Sequence, residues 1–349
     1  MLMKYILSTC LPLALAALLP VQGMAASPQQ EPDSISLHFK QVKKWNIQLP
    51  NESWSTIRDE LRIPNGEASG FMVDNGPFKL QIDTDGNGRT DDVVKGVSGD
   101  ALLKGQHSDG TKFSYAVRVR KERDAWQFAC AGLMTGKVNG IPVSLIDQNN
   151  NGVWNEIGTD AMIVGKGSAA SYLSKVINVK GQLLEFSVNE QGTSATFTPY
   201  QGESGTINAV EKYNSKGKLT SAVFSSVDGD YSFDLSNAGK GMLVPINEYE
   251  LSSATASKSI ERVSIRRGSM RGVTVKTGDE RFVEWGGPLR IEFTHYRTDE
   301  ETVTVNLPTF FGNAEEEYYD FFPGGKSPKI LVTDKDTGKE VWSGKFCES

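Results

Sequence analysis

"KFSYAVRVRKE", residues 112–122, decides the fold class. Phe113, Tyr115, Val117 and Val119 fall on one face, and Lys112, Ser114, Arg118 and Arg120 fall on the other. Successive side chains of a strand point to opposite faces, so this period of two marks a half-buried antiparallel strand. The pattern recurs in "PFKLQID" (Phe78, Leu80, Ile82), in "PLRIEFTHY" (Leu289, Ile291, Phe293) and in "ETVTVNL" (Val303, Val305, Leu307). Turn pairs Asp109-Gly110, Asn139-Gly140 and Asp228-Gly229 separate such runs. Short strands with Gly-containing turns point to a mainly β chain of several antiparallel β-sandwich modules, Ig-like or transthyretin-like. Two segments carry helical signals: "SWSTIRDELR", capped by Ser53 or Ser55, and "SAASYLSKVI", leading into a strand.

The organisation follows from the ends inward. Lys4 precedes the apolar run "YILSTCLPLALAALLPV", and Gly23, Ala25 and Ala26 offer a cleavage site, so residues 1–26 read as a signal peptide. The chain is then expected to be exported, to the periplasm or beyond the cell, with no membrane span in its mature part. Breaks near Tyr200 and at "WGGPLR" divide the remainder into 27–200, 201–285 and 286–349: a β region carrying both acidic loops, a β-sandwich module and an Ig-like module. Two cysteines survive cleavage, Cys130 and Cys347, and an oxidising compartment would allow them to pair. The net charge of −6 over 349 residues, with both signs scattered, excludes a nucleic-acid footprint. The short basic runs "RVRKER" and "SIRRGSMR" read as solvated strand faces.

The most specific chemistry lies in an internal repeat. "FKLQIDTDGNGRTDD" and "PVSLIDQNNNGVWNE" align with a constant shift of 64 residues. Asp83 matches Asp147, Asp85 matches Asn149, Asn87 matches Asn151, Gly88 matches Gly152, Asp91 matches Asn155 and Asp92 matches Glu156. Calcium takes about six to eight hard oxygens, which side chains at loop positions one, three, five and nine plus a carbonyl at seven supply around a glycine. The first set is therefore Asp83, Asp85, Asn87, the carbonyl of Arg89 and Asp91; the second is Asp147, Asn149, Asn151, the carbonyl of Val153 and Asn155. Val94 stands where a calcium hand ends in a bidentate Glu, so Asp92 is the substitute in the first loop, and Glu156 or Asp160 in the second. The second loop has fewer charges and should bind more weakly. Asp, Asn and Gly are also what a tight hairpin selects for left-handed backbone, so a plain polar turn is the competing reading.

These loops resemble the strand-flanked Asp-x-Asp-x-Asn-Gly calcium loops of secreted bacterial proteins, related in ligand pattern to dockerin and EF-hand loops. "GKVNGIPVSLIDQNNNGVWNEIGTDAMIV" is similar to a segment of uncharacterised exported bacterial β-proteins, whose later parts carry stretches similar to "LVPINEYEL", "GGPLRIEF" and "DTGKEVWSGKF". The resemblance implies a β fold and calcium binding, and no activity.

Catalytic patterns are missing from the sequence. His38, His107 and His295 are dispersed, with no His-Glu-x-x-His spacing, and His295 continues the buried-face register of its strand. "GVSGD" and "GESGT" are not nucleophile elbows, and no phosphate-binding glycine loop occurs. "TDEET" and "NAEEEYYD" place acids near aromatics, which keeps a polysaccharide- or cell-wall-acting hydrolase or lyase as the alternative. The tryptophans read as core anchors, with Trp154, inside the second loop, the one expected to be partly exposed. The leading expectation is a non-enzymatic exported protein with calcium-stabilised loops that binds a glycan or a protein.

Overall fold

In the computed structural model, which describes residues 31–66, 70–107, 109–299, 302–324 and 329–345, Lys112–Glu122 is an interior strand. It pairs antiparallel with Ser98–Gln106 on one side and Ala125–Cys130 on the other, and Ser55–Ile57 closes the sheet beyond Ala125–Cys130. Tyr115, Val117 and Val119 are buried as the alternation requires, and the pairing sets Leu103 opposite Tyr115 and Phe128 opposite Val119. The opposite face is half-covered. Arg118 lies under the Trp45 ring at 4.0 Å and Arg120 over Trp54 at 4.1 Å, while Glu52 accepts from Arg118 at 2.7 Å. The charges of "RVRKER" are thus spent on aromatic faces and a local carboxylate. In "SIRRGSMR", Arg266 pairs with Glu317 and Arg267 with Glu250.

Every described element is a strand, and most pairings are antiparallel; Ser204–Asn208 with Glu280–Phe282, and Tyr213–Asn214 with Trp285–Gly286, are parallel. The chain is mainly β, with several antiparallel sheets. Both helical expectations are overturned. "SWSTIRDELR" forms strands Ser55–Ile57 and Glu60–Leu61, and "SAASYLSKVI" contributes Ser171–Tyr172 and runs into Val176–Val179. Ile57 and Leu61, four apart, fit a helix face, yet Leu61 and Ile63 are both buried, a strand period that wins once the neighbouring sheet arrives. In the other segment the buried Ser174 hydroxyl donates to Val176 O at 2.7 Å, a local bond that competes with helix formation.

Two hydrophobic clusters divide near residue 200. The first gathers residues from Leu37 to Phe197, and the second gathers residues from Ile207 to Tyr318 around Trp285, whose indole donates to Ala209 O at 2.7 Å. No break accompanies residue 286. One sheet carries Ser232–Asp234, Lys218–Ser226, Asn247–Lys258, Glu261–Arg266, Glu317–Phe322, Thr309–Phe311 and Arg290–Glu292, so it runs across that expected boundary. Buried Glu316 fastens the crossing by accepting from Gly286 N at 2.6 Å, Ala314 N at 2.9 Å and Tyr318 OH at 3.1 Å. Beyond this sheet lie two hairpins, His295–Arg297 with Val303–Val305 and Lys329–Thr333 with Glu340–Lys345. The alternation there predicts strands correctly but not burial: Leu289, Ile291, Phe293, Val303 and Leu307 are exposed, and so is His295.

The expected signal peptide and Cys347 lie outside the described residues. Cys130 is buried, its sulfur accepting from Gly132 N at 3.4 Å, and burial pushes its thiol up to about 12. No helix among the described residues is long and apolar enough to cross a membrane.

Candidate metal centre

Each acidic loop begins at the end of a strand. Lys79–Ile82 pairs antiparallel with Asp92–Lys95, with Leu80 opposite Val94, so residues 83–91 form the hairpin connection. This explains the missing terminal ligand. Val94, where a calcium hand would carry Glu, is 6% exposed in the first core, and position twelve is a strand residue that the fold uses for packing.

Asp83 anchors the loop from inside at 2% exposure. Its Oδ1 accepts from Gly86 N at 2.9 Å and from Asp85 N and Asn87 N at 3.3 Å, and its Oδ2 accepts from Gly88 N at 2.7 Å. Asp85 accepts from Asn87 N, and Asn87 accepts from Arg89 N at 2.9 Å, so both side chains curl back on their own loop. Gly88 sits at φ 80 with open space around it, so left-handed backbone is the reason for glycine there. Asp91 returns across the loop, its Oδ1 accepting from Thr84 N at 3.1 Å and Thr84 Oγ1 at 2.7 Å. Sequence reasoning missed Thr84, because a hydroxyl at loop position two has no fixed role.

The outcome is one acidic group: carboxylate oxygens of Asp83, Asp85 and Asp91 all lie within 4.8 Å of one another. This group could hold a metal ion. Asp92 is not brought in; it sits at the start of its strand, exposed, with Oδ1 accepting from Val93 N at 2.8 Å. Beside the loop runs an open groove of about 660 Å³, lined by Asp83, Gly88, Arg58, Asp59, Glu60 and Met72 among others.

The second loop has the same plan and a different setting. Asp147 ends Ile141–Ile146 and is fully buried; its Oδ2 accepts from Gly152 N at 2.6 Å and Tyr115 OH at 2.8 Å, and its Oδ1 accepts from Asn151 N at 3.1 Å. Burial raises its carboxyl to about 6, against the pull of those donors. Asn149 and Asn151 each turn an amide N–H onto Glu156 Oε2, at 2.8 and 2.6 Å. Asn155 is exposed and lines a separate cavity with Lys175, Glu185 and Tyr200. Asn150, at φ 64 and 2% exposed, clamps the loop to its surroundings by accepting from Cys130 N at 2.7 Å and donating to Ser53 O at 2.9 Å. The expectation that Trp154 is partly exposed is overturned. Trp154 is 5% exposed, set edge-on to Tyr115 with ring centroids 6.1 Å apart and packed so closely on Gly192 that a Cβ there would come within 2.8 Å of the indole. It is a wedge that seats the loop in the first core.

Of the acids near aromatics, Glu300 and Glu301 of "TDEET" lie outside the described residues. In "NAEEEYYD", Glu315 pairs with Arg290, Glu317 pairs with Arg266, and Glu316 is the buried fastener of Gly286. The groove beside the first loop has carboxylates but no aromatic lining, whereas a cavity of about 310 Å³ beside Trp154 has Phe39, Phe113 and Tyr115 but no carboxylate. No family model, no curated protein and no solved structure matches the chain.

Proposed function

We propose that this is an exported, non-enzymatic β-protein whose first acidic loop takes calcium to stiffen the hairpin Lys79–Lys95, and that it serves as a binding or structural module for a glycan or protein partner. The observation that carries the reading is the convergence of Asp83, Asp85 and Asp91 within 4.8 Å around a buried first ligand. Three carboxylates held this closely repel one another, and a hard divalent cation relieves that repulsion better than water does. Asn87, the Arg89 carbonyl and water complete the oxygen set. The Asp-x-Asp-x-Asn-Gly likeness supports an extracytoplasmic setting, where calcium is plentiful enough for sites of about 10⁻⁴ to 10⁻³ M.

An ion that binds only the folded chain stabilises it by mass action. At about 1 mM calcium and a dissociation constant of about 10⁻⁴ M the gain is about 1.4 kcal/mol, or roughly 2 °C in melting temperature for a chain of this length. Thermal unfolding of the mature chain in calcium and in chelator should show that rise. Asp83→Ala with Asp85→Ala should remove the part due to this loop, and superimposable wild-type curves would refute the reading.

A further inference from the structure

Beneath the second loop, Asp160 precedes the strand Ala161–Val164 and is 1% exposed. Its Oδ2 accepts from Glu156 N at 3.0 Å, but its Oδ1 is buried with no hydrogen-bond partner. Asp147 and Glu156 lie close enough for their charges to bear on it, so two buried carboxylates and the half-buried Glu156 share one region. Among the described residues none of the three forms an ion pair with Lys, Arg or His. The donors are unevenly shared. Asp147 has Gly152 N, Asn151 N and Tyr115 OH, and Glu156 has the amides of Asn149 and Asn151, whereas half of the Asp160 carboxyl has nothing. A buried carboxylate oxygen without a donor costs several kcal/mol, and burial together with Asp147 and Glu156 pushes this carboxyl up to about 9, so it holds a proton until a cation displaces it.

We propose that the second loop is a cation site in its own right, whose ion is held by Asp147, Glu156 and Asp160 with Asn149 and Asn151, and not by Asn155. Asn155 is left out of this set because it is exposed and lines the separate cavity beside Lys175 and Tyr200. Glu156 already faces the loop through its two amide partners, and an ion reverses those amides, so that Oδ1 of Asn149 and Asn151 replaces Nδ2. That turn gives up the bonds their Oδ1 atoms accept from Asn151 N at 3.3 Å and Val153 N at 2.8 Å. The only group of three or more acids whose ligand atoms lie within 4.8 Å among the described residues is that of the first loop. The second site must therefore draw in to bind, which makes it the weaker of the two. The chemical class is a hard divalent cation of calcium size, since every candidate ligand is oxygen.

The test counts calcium ions per mature chain, by native mass spectrometry and by equilibrium dialysis, in wild type, in Asp83→Ala/Asp85→Ala and in Asp160→Asn. The wild type should hold two ions and each variant one, with Asp160→Asn losing the weaker. Full wild-type stoichiometry in Asp160→Asn would overturn the proposal, and so would a complete loss of binding in Asp83→Ala/Asp85→Ala. If instead the first-loop variant keeps both ions while Asp160→Asn loses one, the second site stands and the first-loop reading falls. Should Asp160→Asn fail to fold, as judged by its far-ultraviolet spectrum in chelator, Glu156→Gln takes its place with the same expected loss of one ion.

Discussion

The two acidic loops share a register and little else. In the first, Asp85 and Asp91 are exposed, the loop tips a small hairpin, and its shape is kept by the loop's own Asx bonds around Asp83. In the second, Asp147, Asn150, Trp154 and Asp160 are buried, and the bonds that keep its shape reach Tyr115, Cys130 and Ser53 elsewhere in the chain. On the proposed reading one loop gains stiffness from an ion, whereas the other is held by the fold around it. Burial of the same ligand pattern changes what holds it. An exposed carboxylate cluster waits on a cation in solution, while a buried one must be satisfied during folding or cost stability.

That difference can be broken at Trp154. Trp154→Ala should cost about 3–5 kcal/mol, since it empties the space between Tyr115 and Gly192 in the first core. Its counterpart in the first loop, Thr90→Ala, should cost under about 0.5 kcal/mol, because Thr90 is only half-buried on a hairpin tip. Urea unfolding of both variants checks the pair, and equal losses would mean that the loops are not differently embedded.

A smaller effect sharpens the contrast at the equivalent left-handed positions. Asn150→Ala leaves Cys130 N without its acceptor and gives up asparagine's tolerance of left-handed backbone at φ 64, for a cost of about 2–4 kcal/mol. Gly86→Ala, at φ 72, incurs the backbone term alone, about 1–2 kcal/mol. Asn150→Gly separates the terms, and denaturation midpoints should rank it between the two. A loss in Asn150→Gly no larger than in Gly86→Ala would show that the clamp to Cys130 and Ser53 carries little.

Much of this was legible in the sequence, for local reasons. Tyr115, Val117 and Val119 alternate because one face of their strand meets the core, and that period survives any tertiary arrangement. The loop register was legible because Asp at position one and Gly at position six serve the loop itself. What escaped is non-local. The burial of Trp154 depends on Gly192 and Tyr115, and the continuity across residue 286 depends on Glu316 reaching back to Gly286. Ile57 and Leu61 suited both periods, and only the neighbouring Ala125–Cys130 strand chose between them. At Ile291 and Val303 the alternation was correct for strands and silent about cover, since period two tells which residues share a face and not what lies against it.

The central claim, that the first loop is an ion-dependent element, is tested most directly by amide hydrogen exchange of the mature chain at residues 84–95, with and without about 1 mM calcium. At about ten times its dissociation constant the ion should slow exchange of the Asp85 to Arg89 amides roughly tenfold. In Asp83→Ala/Asp85→Ala those amides should exchange at one rate in both conditions. Unchanged exchange across this hairpin in the wild type, with calcium bound elsewhere in the chain, would contradict the account.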